Sequence, residues 1–344
     1  MLSLADFLNS GIRLSVPILF AAIASVISAR AGILNLAIEA KVLAGAFVGI
    51  VVASPTGSPL LGIVAAATTG AALGVLLAGA HRIGVDLVVL AIGLNMLVLQ
   101  ATVFVMRSFL GGVGTYAPDV DRLEPVRIPG IEHVAFLDHL LARLNPMVYL
   151  AFVLVGVLGF FLRTRPGRHL LAVGEAPKAA ASAGLRVERT QLWALVAAGA
   201  CAGIGGAFLS VGDLGLFTRN MSADRGWIGI TAALLAVNRP AFLVPAVAVF
   251  GFASAASIRL QGLDVPPTLT QFVPQGAALI ALILVGVRSR SRGHLLRLWR
   301  HSSRLRLRTP ASAPPSADHP DQPDTPHSPA APTTPEEKHR VPFT

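Results

Sequence analysis

The chain has 344 residues, of which 53% are hydrophobic and 13% charged, and this excludes a single soluble core, where about 25% would be charged. Its one cysteine, Cys201, excludes a disulfide framework and a thiolate metal cluster. The net charge of +10 does not indicate nucleic-acid binding, because eight arginines between positions 288 and 308 directly follow the last apolar run, where anionic lipid or a positive-inside anchor explains them.

Nine apolar segments follow one another along the chain. They are residues 12–29, 33–53, 59–80, 84–106, 147–162, 191–211, 226–237, 240–258 and 270–287. Because about 20 apolar residues cross a bilayer as a helix, they predict an all-α, polytopic membrane bundle of eight to nine transmembrane helices. Segment 226–237 is too short to cross unaided and ends at Asn238, Arg239 and Pro240, so we expect part of a broken or re-entrant helix there.

The loop 163–190 is expected to be cytoplasmic. It carries six basic residues, whereas the loop 107–146 carries four arginines and five acids, and cytoplasmic loops hold the excess of Lys and Arg. With nine crossings the C-terminus is cytoplasmic as well. From position 309 onward, ten prolines in 36 residues predict a disordered tail. The predicted division is therefore a transmembrane domain, 1–290, containing the loop 163–190, and a basic and then Pro-rich tail, 291–344.

Several enzyme classes lack their motifs here. A phosphate-binding P-loop needs Gly before Lys, but Lys41, Lys178 and Lys338 follow Ala, Pro and Glu. The histidines show no metalloprotease spacing and no Gly-x-Ser-x-Gly elbow occurs, so we expect no bound metal, no cofactor and no catalytic site. Any ATP hydrolysis that drives this protein must come from another chain.

Four polar residues inside apolar runs are candidates for a translocation path or its gate: Asn35, Glu39, Asn95 and Gln100. Asn35 and Glu39 are four residues apart, which predicts one shared helical face with Lys41 off that face. The alternative is that these residues make interhelical hydrogen bonds or a buried ion pair that fixes packing. Glycines spaced by four predict close helix packing; they are Gly45 with Gly49, Gly70 with Gly74, and Gly199 with Gly203.

The segment 174–187 is predicted to form a short helix. Pro177 suits the first turn and Gly184 the C-terminal cap, while Glu175 and Arg186 match the helix dipole. An Ala-rich helix of two turns is not stable alone, so either the membrane domain or a docking partner must hold it. An ordinary structured loop is the alternative.

Three stretches carry a resemblance to a known family. Residues 167–187 read GRHLLAVGEAPKAAASAGLRV and are similar to the coupling loop, G-x-x-x-x-A-x-G-E-N-P-x-A-A-x-x-x-G-I-x-V, of ABC importer permeases for branched-chain amino acids, ribose and nucleosides. Residues 30–40, RAGILNLAIEA, resemble the motif R-A-G-x-x-N-x-G-x-E-G. Residues 226–236, GWIGITAALLA, followed by Asn238-Arg239-Pro240, are the third match. The nearest branch is the nucleoside or simple-sugar type served by a basic-membrane-protein-like lipoprotein.

The resemblance implies a permease subunit in the plasma membrane of a prokaryote, without an ATPase site of its own. It would pair with a second permease, dock a separate ABC ATPase on 174–189, and receive a small-molecule substrate from an extracytoplasmic lipoprotein. The implied coupling residues are Gly174, Glu175, Pro177, Lys178, Ala179, Ala180 and Gly184. Ala replaces glycines of the first motif at Ala37 and Ala40, and Asn of the loop motif at Ala176, which puts the substrate preference in question more than the class.

Two other classes remain open. In an ion- or proton-coupled secondary transporter, Glu39, Lys41 and Asp86 would be the coupling charges. In a non-transporting scaffold, the arginine cluster and the tail would recruit partners. The neutral, polar character of most path candidates favours a nucleoside or a sugar over a strongly charged solute.

Overall fold

The helices dominate the computed structural model, which describes residues 2–111, 114–120, 123 and 144–262, with single positions between 273 and 283. In chain order they are α1 (Leu2–Arg30), α2 (Ile38–Thr56), α3 (Pro59–Arg82), α4 (Leu87–Phe109), α5 (Pro146–Phe161), α6 (Arg165–Glu175), α7 (Pro177–Ser182), α8 (Val187–Ala207), α9 (Arg225–Leu235) and α10 (Leu243–Gln261). A π-helical stretch, Phe208–Leu214, continues α8, and the turn Pro240–Phe242 precedes α10.

Six of these helices are long and apolar enough to cross a membrane: α1, α2, α3, α4, α8 with its continuation, and α10 with its preceding turn. The pair α5 and α6, bent by 79°, is a seventh if it forms one span. The polytopic helical bundle is therefore confirmed, with six or seven candidate spans in the described residues against the eight to nine predicted. Most of segment 270–287 and all of the tail 291–344 lie outside the described residues.

The structure also adds two short strands to the predicted all-α fold. Thr115–Tyr116 (β1) pairs antiparallel with Phe217–Thr218 (β2), at the end of the bundle opposite to the loop 163–190. Hydropathy missed them because two residues are too few for a periodic pattern. They join the segment after α4 to the segment after α8.

The predicted glycine contacts are confirmed and hold α8 at the centre of the bundle. A Cβ on Gly70 of α3 would overlap the carbonyl oxygen of Gly199, and one on Gly45 of α2 would overlap that of Gly203. In lipid the hydrophobic effect does not drive helices together, so such backbone approach supplies the packing contacts. The glycine spacing therefore sets which helices lie against α8.

The apolar side chains outside this core are exposed chiefly on α3, α4 and α5. Examples are Val89, Phe104 and Phe160, with exposed fractions of 69%, 64% and 72%. In water such a surface would be costly, but in a bilayer it faces hydrocarbon. Apolar side chains both inside the bundle and on its outer faces agree with a membrane-embedded protein.

Candidate functional site

The loop 163–190 is built from α6, α7 and the first residues of α8. Pro177 occupies the first position of α7, and Gly184 has a φ of +84° just after it, as the sequence predicts. The helix begins at Pro177 because a residue before proline avoids helical backbone, and Ala176, at φ −147°, is not helical. Glu175 is the last residue of α6 and lies two positions before Pro177, the first residue of α7.

The predicted coupling residues differ in exposure. Glu175, Pro177, Lys178, Ala179 and Gly184 are exposed, whereas Gly174 is half-buried. Ala180 is 5% exposed, so it anchors α7 on the bundle and does not face outward. The surface open to a partner is therefore the Lys178–Ala179 side of α7 and the end of α6.

Gly174 connects this loop to the end of α1. Arg30, the last residue of α1, and the two turn residues that follow it, Ala31 and Gly32, are called here the α1 turn. A Cβ on Gly174 would overlap the Arg30 carbonyl oxygen and lie 2.9 Å from the Gly32 nitrogen. Gly32 has a φ of +78°, a backbone conformation that glycine adopts without strain. Gly174 therefore allows a backbone contact that any side chain would break.

The α1 turn also contacts two other elements. Arg30 donates a hydrogen bond from Nε to the carbonyl oxygen of Asn238, 2.9 Å away in the turn after α9. Gln191 of α8 donates from Nε2 to the Ala31 carbonyl oxygen at 3.4 Å. Neither Gln191 nor Asn238 was predicted to be a functional residue, although Asn238 belongs to a motif that resembles the known family, Asn238-Arg239-Pro240. The α1 turn thus joins the loop 163–190, α8 and the end of α9.

A second group of polar side chains lies around the start of α2; the inner polar cluster is defined here as Asn35, Glu39, Lys41 and Asn95. Glu39 is 8% exposed, and its Oε2 accepts a hydrogen bond from the Gly226 nitrogen at 2.7 Å while Oε1 accepts from the Asp224 nitrogen at 3.2 Å. These nitrogens belong to the N-terminus of α9, which has no side-chain cap of its own. Glu39 therefore caps α9 from a distant helix, where the helix dipole favours a negative charge.

Asn95 caps the N-terminus of α2 in the same way, from α4. Its Oδ1 accepts from the Ala40 nitrogen at 2.9 Å, and its Nδ2 donates to the Leu36 carbonyl oxygen at 3.2 Å. The cap residue of α2, Ala37, has no side-chain oxygen to offer. Asn95 therefore makes hydrogen bonds between α4 and the start of α2, which is the packing role that the sequence left open as the alternative to a place in the path.

The predicted shared face of Asn35 and Glu39 is wrong. Asn35 lies in the non-helical segment between Gly32, which has a positive φ, and α2, which begins at Ile38. The cap position of α2 is Ala37, two residues after Asn35. The Lys41 ammonium, fully buried, donates to the Asn35 Oδ1 at 3.3 Å. Lys41 is therefore a member of the cluster and Asn35 is its acceptor.

Gln100 and Asp86 lie apart from this cluster. Gln100 is exposed on α4. Asp86 is exposed and caps α4, accepting from the Val88 nitrogen at 2.8 Å. Glu39, Lys41 and Asp86, the charges that a secondary transporter would use, are therefore not assembled into one site. Among the described residues no three His, Cys, Asp or Glu side chains are placed to hold a metal ion.

Replacing Lys41 by Met is expected to leave the protein as stable as the wild type or more stable. The described residues give its ammonium one neutral hydrogen-bond partner and no carboxylate within 4.0 Å, and a buried charge is costly unless it is paired. The measurement is the melting temperature in detergent. It is made for Lys41→Met and for the companion variant Asn35→Leu, which removes the oxygen that accepts the hydrogen bond from Lys41. A drop of several degrees for Lys41→Met would contradict this prediction.

The comparisons with known proteins agree over most of the chain. Residues 7–284 match the family described as "Branched-chain amino acid transport system / permease component". A proposed glucose ABC transporter permease protein of Haloferax volcanii is 31% identical over 273 residues, covering 76% of this chain and 79% of its own. The guanosine ABC transporter permease protein of Bacillus subtilis is 27% identical over 285 residues, covering 77% and 87%.

A nucleoside ABC transporter permease protein of Lactococcus lactis subsp. cremoris is 25% identical over 285 residues, with 78% of this chain and 89% of its own covered. No solved structure matches the chain. The matched region contains the loop 163–190, the α1 turn and the inner polar cluster.

Proposed function

This chain belongs to the family of branched-chain amino acid transport system permease components, and we propose that, as the membrane-spanning permease subunit of an ABC importer, it carries a sugar or a nucleoside. The substrate class rests on the glucose, guanosine and nucleoside permeases that are similar to it. The polar residues proposed for the path or its gate are Asn35, Glu39, Asn95 and Gln100, and three of them are uncharged. That composition suits a polar, neutral solute.

The proposed assembly contains three further proteins: an ABC ATPase, a second homologous permease and an extracytoplasmic substrate-binding lipoprotein. ATP would be used by the ATPase and not by this chain. We place the multi-pass protein in the plasma membrane of a prokaryote, with the loop 163–190 and the C-terminus cytoplasmic, since that loop holds the basic excess.

The coupling mechanism rests on one structural observation, the contact of Gly174 with the α1 turn. An ATPase that binds the exposed side of α7 would move Gly174, and the α1 turn must follow because the two backbones touch. Arg30 then passes the displacement to Asn238 at the end of α9. The other end of α9 is held by Glu39, so the start of α2 is reached as well.

This chain of contacts leads into the membrane interior. The 11 residues of α9 rise about 16 Å, roughly half of the hydrocarbon thickness of about 30 Å. Broken helices that end near the midplane are where transporters of other folds hold their substrates. In this proposal the ATPase cycle shifts α9 and α2 together and so alternates access between the two sides.

The decisive experiment is to tag the full chain, solubilise it gently from its native membrane and identify the proteins that accompany it. We expect an ATPase and a second permease. The reconstituted complex should take up radiolabelled guanosine or glucose only with ATP. Uptake that needs no ATP and is abolished by an uncoupler would contradict the proposal and favour the secondary transporter.

Ala179→Asp is expected to lower ATP-driven uptake by roughly tenfold or more, since it places a charge on the exposed face of α7 against the partner. Membrane insertion and melting temperature should not change. The control is Ala117→Asp, an exposed alanine directly after β1 and outside the loop 163–190. Normal uptake by a well-expressed Ala179→Asp variant would remove α7 from the docking surface.

A further inference from the structure

An apolar groove opens at the end of the bundle that carries the coupling loop. It has a volume of about 530 Å³ and lies between α1, α5, α6 and α8. Its walls are almost entirely carbon; representative side chains are Ile23 of α1, Leu154 and Phe161 of α5, and Ala197 of α8. None of the four path candidates lines it, so the groove is separate from the proposed translocation path.

The groove continues into a second cavity of about 400 Å³ that is polar and basic. His169, Thr190 and Trp193 line both cavities, and Arg186 and Arg189 line the second alone. We call Arg186, Arg189 and His169 the basic mouth. The three side chains are exposed, and no carboxylate lines this cavity.

The acid closest in sequence is turned away from the basic mouth. Glu188 lies between the two arginines in the chain, but its Oε2 is 3.3 Å from Arg82 Nε, in a separate cavity lined by α3 and α8. Arg186 and Arg189 are therefore not neutralised by it. The basic mouth presents its positive charge outward.

Trp193 marks the boundary between the apolar and the basic cavities. It is 66% exposed although it is the largest side chain of α8. Tryptophan accumulates at the level of lipid headgroups, because its apolar ring can contact the hydrocarbon while its N–H donates a hydrogen bond to water. The position indicates that the groove lies at acyl-chain depth and the basic mouth at headgroup depth.

We propose that this site binds one anionic phospholipid of the leaflet next to the coupling loop. The phosphate lies at Arg186 and Arg189, and an acyl chain fills the groove between α1, α5 and α8. Basic pockets between transmembrane helices attract acidic headgroups, and arginine binds phosphate through several N–H donors. An apolar helix of a partner subunit would fill the groove but would leave the two arginines without an anion.

The test compares two lipids with identical acyl chains, phosphatidylglycerol and phosphatidylcholine, added to the full-length chain purified with its accompanying subunits. Native mass spectrometry counts the bound lipids, and a melting curve reports stabilisation. We expect the complex to retain phosphatidylglycerol in preference to phosphatidylcholine. Inorganic phosphate should not displace it, because a free anion gains nothing from the groove.

Two kinds of variant locate the binding. Arg186→Ala with Arg189→Ala should weaken phosphatidylglycerol binding by roughly 30-fold. The matched control, Arg165→Ala with Arg168→Ala, removes the same charge from α6 outside both cavities and should bind normally. Ala197→Trp fills the groove without changing any charge and should also weaken binding.

The proposal fails if the two lipids bind equally, if both arginine pairs lose binding to the same extent, or if phosphate displaces the lipid. It also fails if the isolated chain binds lipid but the assembled complex does not, since a partner then covers the groove. Should Ala197→Trp not elute as a folded protein, the arginine pair and its control decide the question. If the variant Arg186→Ala with Arg189→Ala loses the lipid but keeps its substrate specificity, lipid binding is distinguished from the proposed transport function.

Discussion

Replacing Gly70 by Val should leave little or no folded protein in the membrane, because the new side chain has no room where α3 crosses α8. The Cβ alone would overlap the Gly199 carbonyl oxygen and lie 3.1 Å from the Gly203 Cα. Both neighbours are backbone atoms, which cannot rotate away as a side chain can. Overpacking costs about 1–3 kcal/mol where neighbours can adjust, so we expect about 3 kcal/mol or more here.

Gly79→Val is the matched control for this variant. Gly79 lies on the same helix, and a Cβ there would meet no atom within 4 Å. The two variants share their change in helix propensity and differ in the contact with α8. Fluorescence-detected size exclusion and a melting curve give the comparison. Equal yield and equal melting temperature for the two variants would contradict the packing role of Gly70.

Glu39→Gln is expected to abolish ATP-driven uptake while the protein still inserts. The carboxylate accepts from the Gly226 and Asp224 nitrogens together, whereas an amide offers one oxygen and turns an NH₂ toward the second nitrogen. A hydrogen bond to a charged group contributes about 1.5–3 kcal/mol, so losing one weakens the N-terminus of α9. Since α9 is the proposed link between Arg30 and the inner polar cluster, transport should suffer more than stability.

The control for Glu39→Gln is Asp119→Asn, an exposed acid after β1 and outside the loop 163–190. Surface substitutions of this kind usually change stability by about 0.5 kcal/mol or less, so that variant should resemble the wild type. Uptake into proteoliposomes and the melting temperature are measured for both. A Glu39→Gln variant that transports normally would show that the cap on α9 is not needed for coupling.

Much of the fold was predictable because it follows from local composition. Six of the nine predicted segments correspond to the six candidate spans. The 11-residue helix α9 was too short to cross, as its sequence indicates. Glycine spacing also predicted close helix packing, since in lipid a small residue at every fourth position allows it, and the structure shows that packing where Gly70 of α3 meets Gly199 of α8.

Three of the four residues of the inner polar cluster were predictable from the sequence, but the hydrogen bonds that connect them were not. Asn35, Glu39 and Asn95 were singled out because polar groups in apolar runs are costly and usually have a structural or functional role. The structure brings all three to the start of α2. Gln100, chosen by the same rule, is exposed on α4. Lys41 was predicted to lie off the face shared by Asn35 and Glu39 because a continuous helix was assumed, whereas Asn35 precedes the helix.

The sequence by itself determined that this is a membrane-embedded helical permease and marked the loop 163–190 as the proposed coupling element, because hydropathy, charge and motif spacing are properties of neighbouring residues. Only the tertiary structure decided which groups meet. Glu39 meets residues 185 and 187 positions away, and Arg30 meets Asn238 at a separation of 208. A helix end needs some hydrogen-bond partner, but its local sequence does not specify which distant side chain supplies it; the packing of the whole bundle does.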